Sequence, residues 1–228
     1  MDILKRGLIV SCQALEEEPL FGMGIMPKMA LAAKAGGAIA LRMNGVDDIA
    51  RIKKECDLPV IGIIKKNYAG YAAYITPTLQ EVSQLVTANS DIIALDASFG
   101  PRPEFERPAE FIQAIKKRYD VCLMADISNF AEGIDAYRAG ADLIATTLAP
   151  QVGAAAGEKR PDIDLVRKLA RRLPIPVIAE GNIESPDQAV ACLAAGAYAV
   201  VVGSAITRPQ WITRRFVTEI SRYHLQGV

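Results

Sequence analysis

The stretch VIAEGNIESPDQAVACLAAGAYAVVVGSAITRP, at residues 177–209, contains a strand, a helix and a second strand in sequence order. An apolar run covers Pro176–Gly181, and Ser185 then caps a helical segment that opens with a proline. Gly196 ends that segment, and a second apolar run follows at Ala199–Ser204. Both runs lack polar alternation, which is typical of parallel strands covered on both faces. The stretch therefore predicts a β-α-β unit.

Units of this type recur along the whole chain. The 228 residues divide into eight units of about 28 residues, close to the length that a strand, a helix and two short loops require. An open doubly wound sheet usually has five or six strands and a G-x-G-x-x-G motif after the first, where this chain has SCQ. We therefore predict a single (β/α)8 TIM-barrel domain over residues 1–228. Its strands are predicted at Gly7–Gln13, Ala38–Met43, Pro59–Lys65, Asp91–Ala97, Val121–Ile127, Asp142–Thr147, Pro176–Gly181 and Ala199–Ser204.

Composition excludes several classes of function. The 26 Lys and Arg balance 26 Asp and Glu, so no global field attracts nucleic acid or an anionic membrane. With 51% hydrophobic residues, the chain has enough apolar material for a core. It shows no signal peptide and no apolar stretch long enough to span a membrane, so we expect a cytoplasmic protein without membrane or nucleic-acid partners.

Cysteine and histidine limit the chemistry. Cys12, Cys56, Cys122 and Cys192 are widely separated and form no C-x-x-C pair, and His224 is the single histidine of the sequence. We therefore expect buried thiols and no metal site. Proton transfer is expected to use Lys, Glu, Asp or Tyr.

Polar residues stand where the predicted strands end. The carboxyl ends of barrel strands meet at one mouth, where TIM-barrel chemistry occurs. A solvated strand end or a helix cap is the alternative for any one of these residues. They are Gln13, Arg42, Lys65, Asp96, Asp126, Thr146 with Thr147, Glu180 and Gly203 with Ser204.

The ends of strands seven and eight carry a phosphate-binding pattern. Gly181 and Asn182 follow one strand, and Gly203 and Ser204 follow the next. These two loops form the phosphate cradle of many barrels, where glycine lets backbone N–H groups approach a ligand. Arg208 can add a two-pronged clamp. The alternative is that the glycines only permit tight turns with positive φ.

Lys65 is a candidate proton carrier. Neighbouring side chains on a strand point to opposite faces, so only one of Lys65 and Lys66 can enter the barrel mouth. A lysine base needs its pKa lowered from about 10.4, and burial or a cation such as Arg42 would lower it. An ionised Glu180 would raise the pKa of the lysine.

The acidic run Glu16–Glu18 lacks metal-ligand spacing, and we interpret it as a loop.

An ordered set of motifs resembles the N-acetylmannosamine-6-phosphate 2-epimerases of bacterial sialic acid catabolism. The resemblance covers nearly the whole chain. AEG or GSAI alone occurs across phosphate-binding barrels, but the ordered set is specific. Its segments are GLIVSCQ at Gly7–Gln13, GIIK at Gly62–Lys65, YITPT at Tyr74–Thr78, DIIALDA at Asp91–Ala97, GPRP at Gly100–Pro103, ATTL at Ala145–Leu148, VIAEGN at Val177–Asn182 and VVGSAITRP at Val201–Pro209.

The resemblance implies an isomerase that interconverts N-acetylmannosamine 6-phosphate and N-acetylglucosamine 6-phosphate at C2 without a cofactor. It implies Lys65 as proton carrier and Glu180 as its acidic partner. Sugar-site residues would be Gln13, Arg42 and Asp126, to which we add Thr146 at the end of strand six. The phosphate cradle would comprise Gly181, Asn182, Gly203, Ser204 and Arg208.

Three features of the sequence depart from this pattern or allow an alternative interpretation. The segment Ala149–Gly157 departs from the family pattern, so the resemblance assigns no substrate contact to it. A Schiff-base aldolase would also use a lysine at a strand end, and a non-catalytic phosphosugar-binding barrel is a third alternative. The resemblance suggests a homodimer, to which Trp211, Ile212 and Phe216 could contribute, although these side chains could equally pack on the barrel.

Overall fold

Eight parallel strands close into a barrel in which each strand pairs with the next and the last pairs with the first. The computed structural model describes residues 3–149 and 160–225. All eight predicted strands are present, and most of them are shorter than predicted. The strands are β1 Gly7–Cys12, β2 Ala40–Asn44, β3 Val60–Ile63, β4 Ile92–Asp96, β5 Cys122–Asp126, β6 Leu143–Ala145, β7 Val177–Glu180 and β8 Ala199–Val202.

Helices separate the strands and confirm the (β/α)8 architecture. The helix predicted after Ser185 is confirmed: the serine hydroxyl accepts a hydrogen bond from the backbone N–H of Gln188, and Gly196 has a φ of 110° just beyond the helix end. No helix in the described ranges is long and apolar enough to cross a membrane. The described helices are α1 Ile25–Ala35, α2 Val46–Glu55, α3 Leu79–Thr87, α4 Pro108–Arg118, α5 Phe130–Ala139, α6 Ile163–Arg172, α7 Pro186–Ala194, α8 Ser204–Thr207 and α9 Pro209–Leu225.

Alternate residues of each strand belong to two separate cores. Ile61 and Ile63 on β3 face the barrel interior, whereas Val60 packs outward against the helices. Because the alternation has a period of two, it decides which residue beyond each strand end points into the mouth. The divergent segment Ala149–Gly157 lies outside the described residues except for Ala149.

Candidate active site

A cavity of about 310 Å³ opens at the carboxyl ends of the strands. Most of the predicted site residues line it, drawn from five strands and the loops that follow them. Three strand-end candidates, Asp96, Asp126 and Thr146, do not line it. The predicted residues in its wall are Gln13, Arg42, Lys65, Glu180, Gly181, Asn182, Gly203, Ser204 and Arg208.

Lys65 continues the inward alternation of Ile61 and Ile63 and lines the cavity. Its backbone N–H donates to Oδ1 of Asn44 at 2.9 Å, which fixes the chain where the strand ends. Burial, aided by the nearby cations Arg42 and Arg208, lowers the pKa of the Lys65 amine to about 8 against the opposing charges of Glu180 and Asp126. Within residues 3–149 and 160–225, no carboxylate lies within salt-bridge distance of the Lys65 amine. The amine can therefore lose its proton near neutral pH.

Lys66 has the opposite orientation, as the alternation requires. Its amine lies 3.2 Å from Glu81 and 4.8 Å from the ring centroid of Tyr68, and its side chain is half-exposed. The Glu81 carboxylate also accepts a hydrogen bond from the Tyr68 hydroxyl at 2.9 Å. Lys66 thus anchors the loop after β3, and Lys65 alone of the pair faces the cavity at the strand ends.

Arg42 is buried in the barrel between two carboxylates. It donates to both oxygens of Asp126 at 3.0 and 2.6 Å, and its Nη1 lies 3.0 Å from Oε2 of Glu180. Asp126 also accepts a hydrogen bond of 2.6 Å from the Thr147 hydroxyl. Both oxygens of Asp126 are therefore occupied by protein groups.

The Glu180 carboxyl differs from Asp126 in that its Oε2 is paired with Arg42 as an ion pair without a hydrogen bond. Burial raises the pKa of Glu180 to about 7, and the charge of Asp126 acts in the same direction while Arg42 opposes it. Oε2 of Glu180 accepts no hydrogen bond from any described residue. A carboxyl with these properties can hold or release a proton near neutral pH.

The predicted substrate residue Thr146 faces away from the cavity. Its hydroxyl donates to the backbone carbonyl of Glu180 at 3.0 Å and accepts from the backbone N–H of Glu180 at 3.1 Å. Thr147 lines the cavity instead. The inward residues Leu143 and Ala145 would have identified Thr147 from the sequence, because the alternation reaches it two residues later.

The predicted phosphate cradle lies at the ends of β7 and β8. Gly181 has a φ of 107° and Asn182 a φ of 51°, so the loop after β7 makes a tight turn at the left-handed conformation that glycine favours. Gly203 has a negative φ, and there the requirement is space: a Cβ would lie 3.3 Å from the Cβ of Ser11. Nη1 of Arg208 donates to Oγ of Ser204 at 3.3 Å, which brings the arginine to the cradle.

Sequence reasoning missed other residues in the wall and one residue behind it. Ser11, Tyr74 and Trp211 line the cavity, and Ser11 accepts a 2.8 Å hydrogen bond from the side-chain amide of Gln13. Glu18, interpreted as part of an acidic loop, pairs with Arg208. Ser11 lies two residues before Gln13 on β1, so alternation would have indicated it, whereas the pairing of Glu18 and Arg208 depends on the folded loops.

Other candidate chemistry lies away from this cavity. Burial raises the pKa of the Cys12 thiol to about 12, so it is a poor nucleophile, in line with a core thiol. No group of three or more His, Cys, Asp or Glu side chains in the described part of the chain could hold a metal ion.

Comparisons with known proteins agree on one family. A family model described as "Putative N-acetylmannosamine-6-phosphate epimerase" matches residues 26–222. Two curated proteins named "Putative N-acetylmannosamine-6-phosphate 2-epimerase" are similar over their full length. The one from Caldanaerobacter subterraneus subsp. tengcongensis is 52% identical and covers 100% of this chain and 98% of its own. The one from Enterobacter sp. is 50% identical and covers 99% and 97%.

A solved structure is similar as well. The N-acetylmannosamine-6-phosphate 2-epimerase from Clostridium perfringens superposes with a TM-score of 0.90 at 46% identity. The superposition covers 95% of this chain and 94% of that one.

Proposed function

Because this chain belongs to the N-acetylmannosamine-6-phosphate 2-epimerase family, we propose that it interconverts N-acetylmannosamine 6-phosphate and N-acetylglucosamine 6-phosphate. The observation that carries the proposal is the position of Lys65. Its amine has a lowered pKa and faces the same cavity as the cradle residues Ser204 and Arg208. One cavity therefore combines a proton carrier with an anion site, as C2 epimerisation of a phosphosugar requires.

The proton transfer follows from the chemistry of the open-chain sugar. The hydrogen on C2 is acidic only when C1 is an aldehyde, because the resulting charge then moves to the aldehyde oxygen. Neutral Lys65 takes the C2 proton and becomes an ammonium, and the C2–H electron pair forms the enolate. Return of the proton to the other face of C2 gives the epimer and restores the neutral amine.

The enolate oxygen needs hydrogen-bond donors in the cavity. Gln13 and Arg42 both line it and can supply them. Arg42 has a further advantage, because its two carboxylate neighbours fix it in place before a substrate arrives. We propose that Glu180, whose pKa is raised and whose Oε2 accepts no hydrogen bond from the described residues, moves the proton that opens the sugar ring.

The phosphate explains how the substrate is placed. A phosphate held by Gly181, Asn182, Gly203, Ser204 and Arg208 leaves the sugar reaching across the mouth toward β3, where Lys65 lies. Fixing one end of a long substrate places the other end beside the base.

Two of the residues predicted to contact substrate are better explained as positioning residues. Both oxygens of Asp126 are engaged by Arg42 and Thr147, so we propose that Asp126 orients Arg42. Thr146 holds the backbone of Glu180. Both would act on the substrate indirectly, Asp126 through Arg42 and Thr146 through Glu180.

A Schiff-base aldolase remains the main alternative, and one experiment separates the two reactions. Proton NMR in deuterated buffer with N-acetylmannosamine 6-phosphate follows product formation and deuterium entry at C2. We expect N-acetylglucosamine 6-phosphate carrying deuterium at C2 and no covalent adduct after borohydride treatment. A borohydride-trapped adduct on Lys65 would indicate the aldolase, and binding without turnover would indicate the non-catalytic barrel.

We also propose that the protein is a homodimer. Helix α9 leaves the barrel after its first turns, and its later apolar side chains face solvent: Phe216 is 67% exposed and Ile220 and Tyr223 are each 56% exposed. These residues share one face of the helix. A row of this kind is typical of a subunit contact, and a second copy of the chain would cover it. From the family resemblance we further propose a cytoplasmic role in sialic acid catabolism.

A further inference from the structure

Glu18 and Arg208 join two loops that are far apart in the sequence. Glu18 lies in the loop after β1, and Arg208 lies between α8 and α9. The Nε of Arg208 is 2.9 Å from one carboxylate oxygen of Glu18, and Nη2 is 3.0 Å from the other. This side-on pairing uses one edge of the planar guanidinium and fixes its orientation.

Glu18 is itself held by other groups. The backbone N–H of Leu15 donates to one of its oxygens at 2.8 Å, and the side-chain amide of Gln210 donates to the other at 3.1 Å. The side chain of Glu18 is only 16% exposed, against 28% for Arg208. Glu18 is therefore a fixed part of the wall and not a loose surface counter-ion.

The opposite end of the guanidinium faces the cradle. Nη1 of Arg208 lies 3.3 Å from Oγ of Ser204, and both residues line the cavity at the strand ends. A phosphate at Ser204 would meet the end that Glu18 does not use. We propose that Glu18 is a positioning residue for the substrate phosphate, which it serves by holding Arg208 with Nη1 toward the cradle. The inference rests on the proposed function, because it takes the phosphosugar as the ligand.

Glu18 has two opposing effects on the affinity for phosphate, so an experiment can separate them. Orientation of Arg208 removes rotamer freedom before binding and strengthens the phosphate contact. Repulsion between a carboxylate and a phosphate weakens it. Arg208 neutralises the Glu18 charge at contact distance, so we expect orientation to dominate. Glu17 serves as the matched control, since it is an exposed acid on the same loop that lies next to Glu18.

The test compares Glu18→Gln with Glu17→Gln in steady-state kinetics on N-acetylmannosamine 6-phosphate. For Glu18→Gln we expect KM to rise about tenfold, the effect of weakening one hydrogen bond to a charged group, with kcat within about twofold. Inhibition by inorganic phosphate should weaken by a similar factor. Glu17→Gln should leave both constants unchanged.

A double-mutant cycle completes the test. In an Arg208→Ala background, Glu18→Gln should add no further rise in KM, because the residue that it positions is gone. An unchanged or lower KM in the single variant, or an equal rise without Arg208, would overturn the proposal. If the wild-type protein did not epimerise the sugar, the proposed function would fail separately, and calorimetry with inorganic phosphate would still test Glu18.

Discussion

Arg42 and Asp126 form a two-pronged salt bridge inside the barrel, with N–O distances of 3.0 and 2.6 Å and neither side chain more than 1% exposed. The pair links β2 to β5, and Glu180 on β7 lies 3.0 Å from the same guanidinium. The arrangement places a permanent cation close enough to Lys65 to lower the pKa of its amine. The buried salt bridge thus prepares the site as well as joining the strands.

Asp126→Asn should destabilise the fold strongly. The change removes a carboxylate and leaves Arg42 undercompensated in a buried position, which costs about 3 kcal/mol or more. For a chain of this size, that corresponds to a fall in Tm of roughly 10 °C. Thermal unfolding measures the effect.

A surface pair provides the control for that substitution. Asp164 pairs with Arg167 on α6 in an exposed position, so Asp164→Asn should leave Tm unchanged within error. Equal stability of the two variants would show that the buried pair contributes no more than the exposed one.

Activity should rise with pH up to about 8. The neutral Lys65 amine is the active form, and its fraction grows as pH rises through its pKa of about 8. We therefore expect kcat/KM to increase as pH rises toward that value and not to increase further above it. A rise that continued toward pH 10 would contradict the lowered pKa.

Glu180→Gln should lower the pH at which kcat/KM rises. The Glu180 carboxylate stabilises the Lys65 ammonium, so removing its charge lowers the pKa of the amine. The absolute rate should fall as well, since Glu180 is proposed to open the ring. The pH at which activity rises is measured independently of the absolute rate. A shift of that pH to a higher value would refute the electrostatic account.

Gly203→Ala should weaken phosphate binding. The new Cβ would lie 3.3 Å from the Cβ of Ser11, so the cradle or β1 must shift to accept it. Overpacking of this kind costs about 1–3 kcal/mol, and a rise in KM of about two- to tenfold would follow if half of that cost appears in binding. Gly36→Ala is the control, because Gly36 has helical dihedrals at the end of α1. Equal KM values for both variants would argue against a cradle at Gly203.

Ile220→Glu should separate the proposed dimer. The substitution places a charge in the exposed apolar row of α9, whereas Thr218→Glu places it on the opposite face of the same helix. Analytical ultracentrifugation should give a dimer for the wild type and for Thr218→Glu and a monomer for Ile220→Glu. A monomeric wild type would end the proposal.

The sequence predicted the barrel because its signals were local. Apolar runs of strand length and helix ends such as Ser185 and Gly196 each depend on neighbouring residues alone. The alternation of strand residues also separates Lys65 from Lys66, since the inward Ile61 and Ile63 lead to Lys65. The same rule applied to β6 would have replaced Thr146 by Thr147.

What the sequence did not predict depends on contacts between distant segments. Asp126 ends a strand like the other site residues, but Arg42 and Thr147 occupy its oxygens only in the folded barrel. In the sequence, Glu18 resembles any other loop residue, because its partner Arg208 lies 190 residues further along the chain. Such pairs have no sequence period, so no pattern could indicate them.

The central claim is that Lys65 carries the C2 proton, and Lys65→Met tests it most directly. The methionine keeps most of the length of the side chain without a titratable group, and it leaves the cradle residues unchanged. We predict that the variant binds inorganic phosphate like the wild type but incorporates no deuterium at C2 of N-acetylmannosamine 6-phosphate in deuterated buffer, as read by proton NMR. Deuterium incorporation at the wild-type rate would contradict the account.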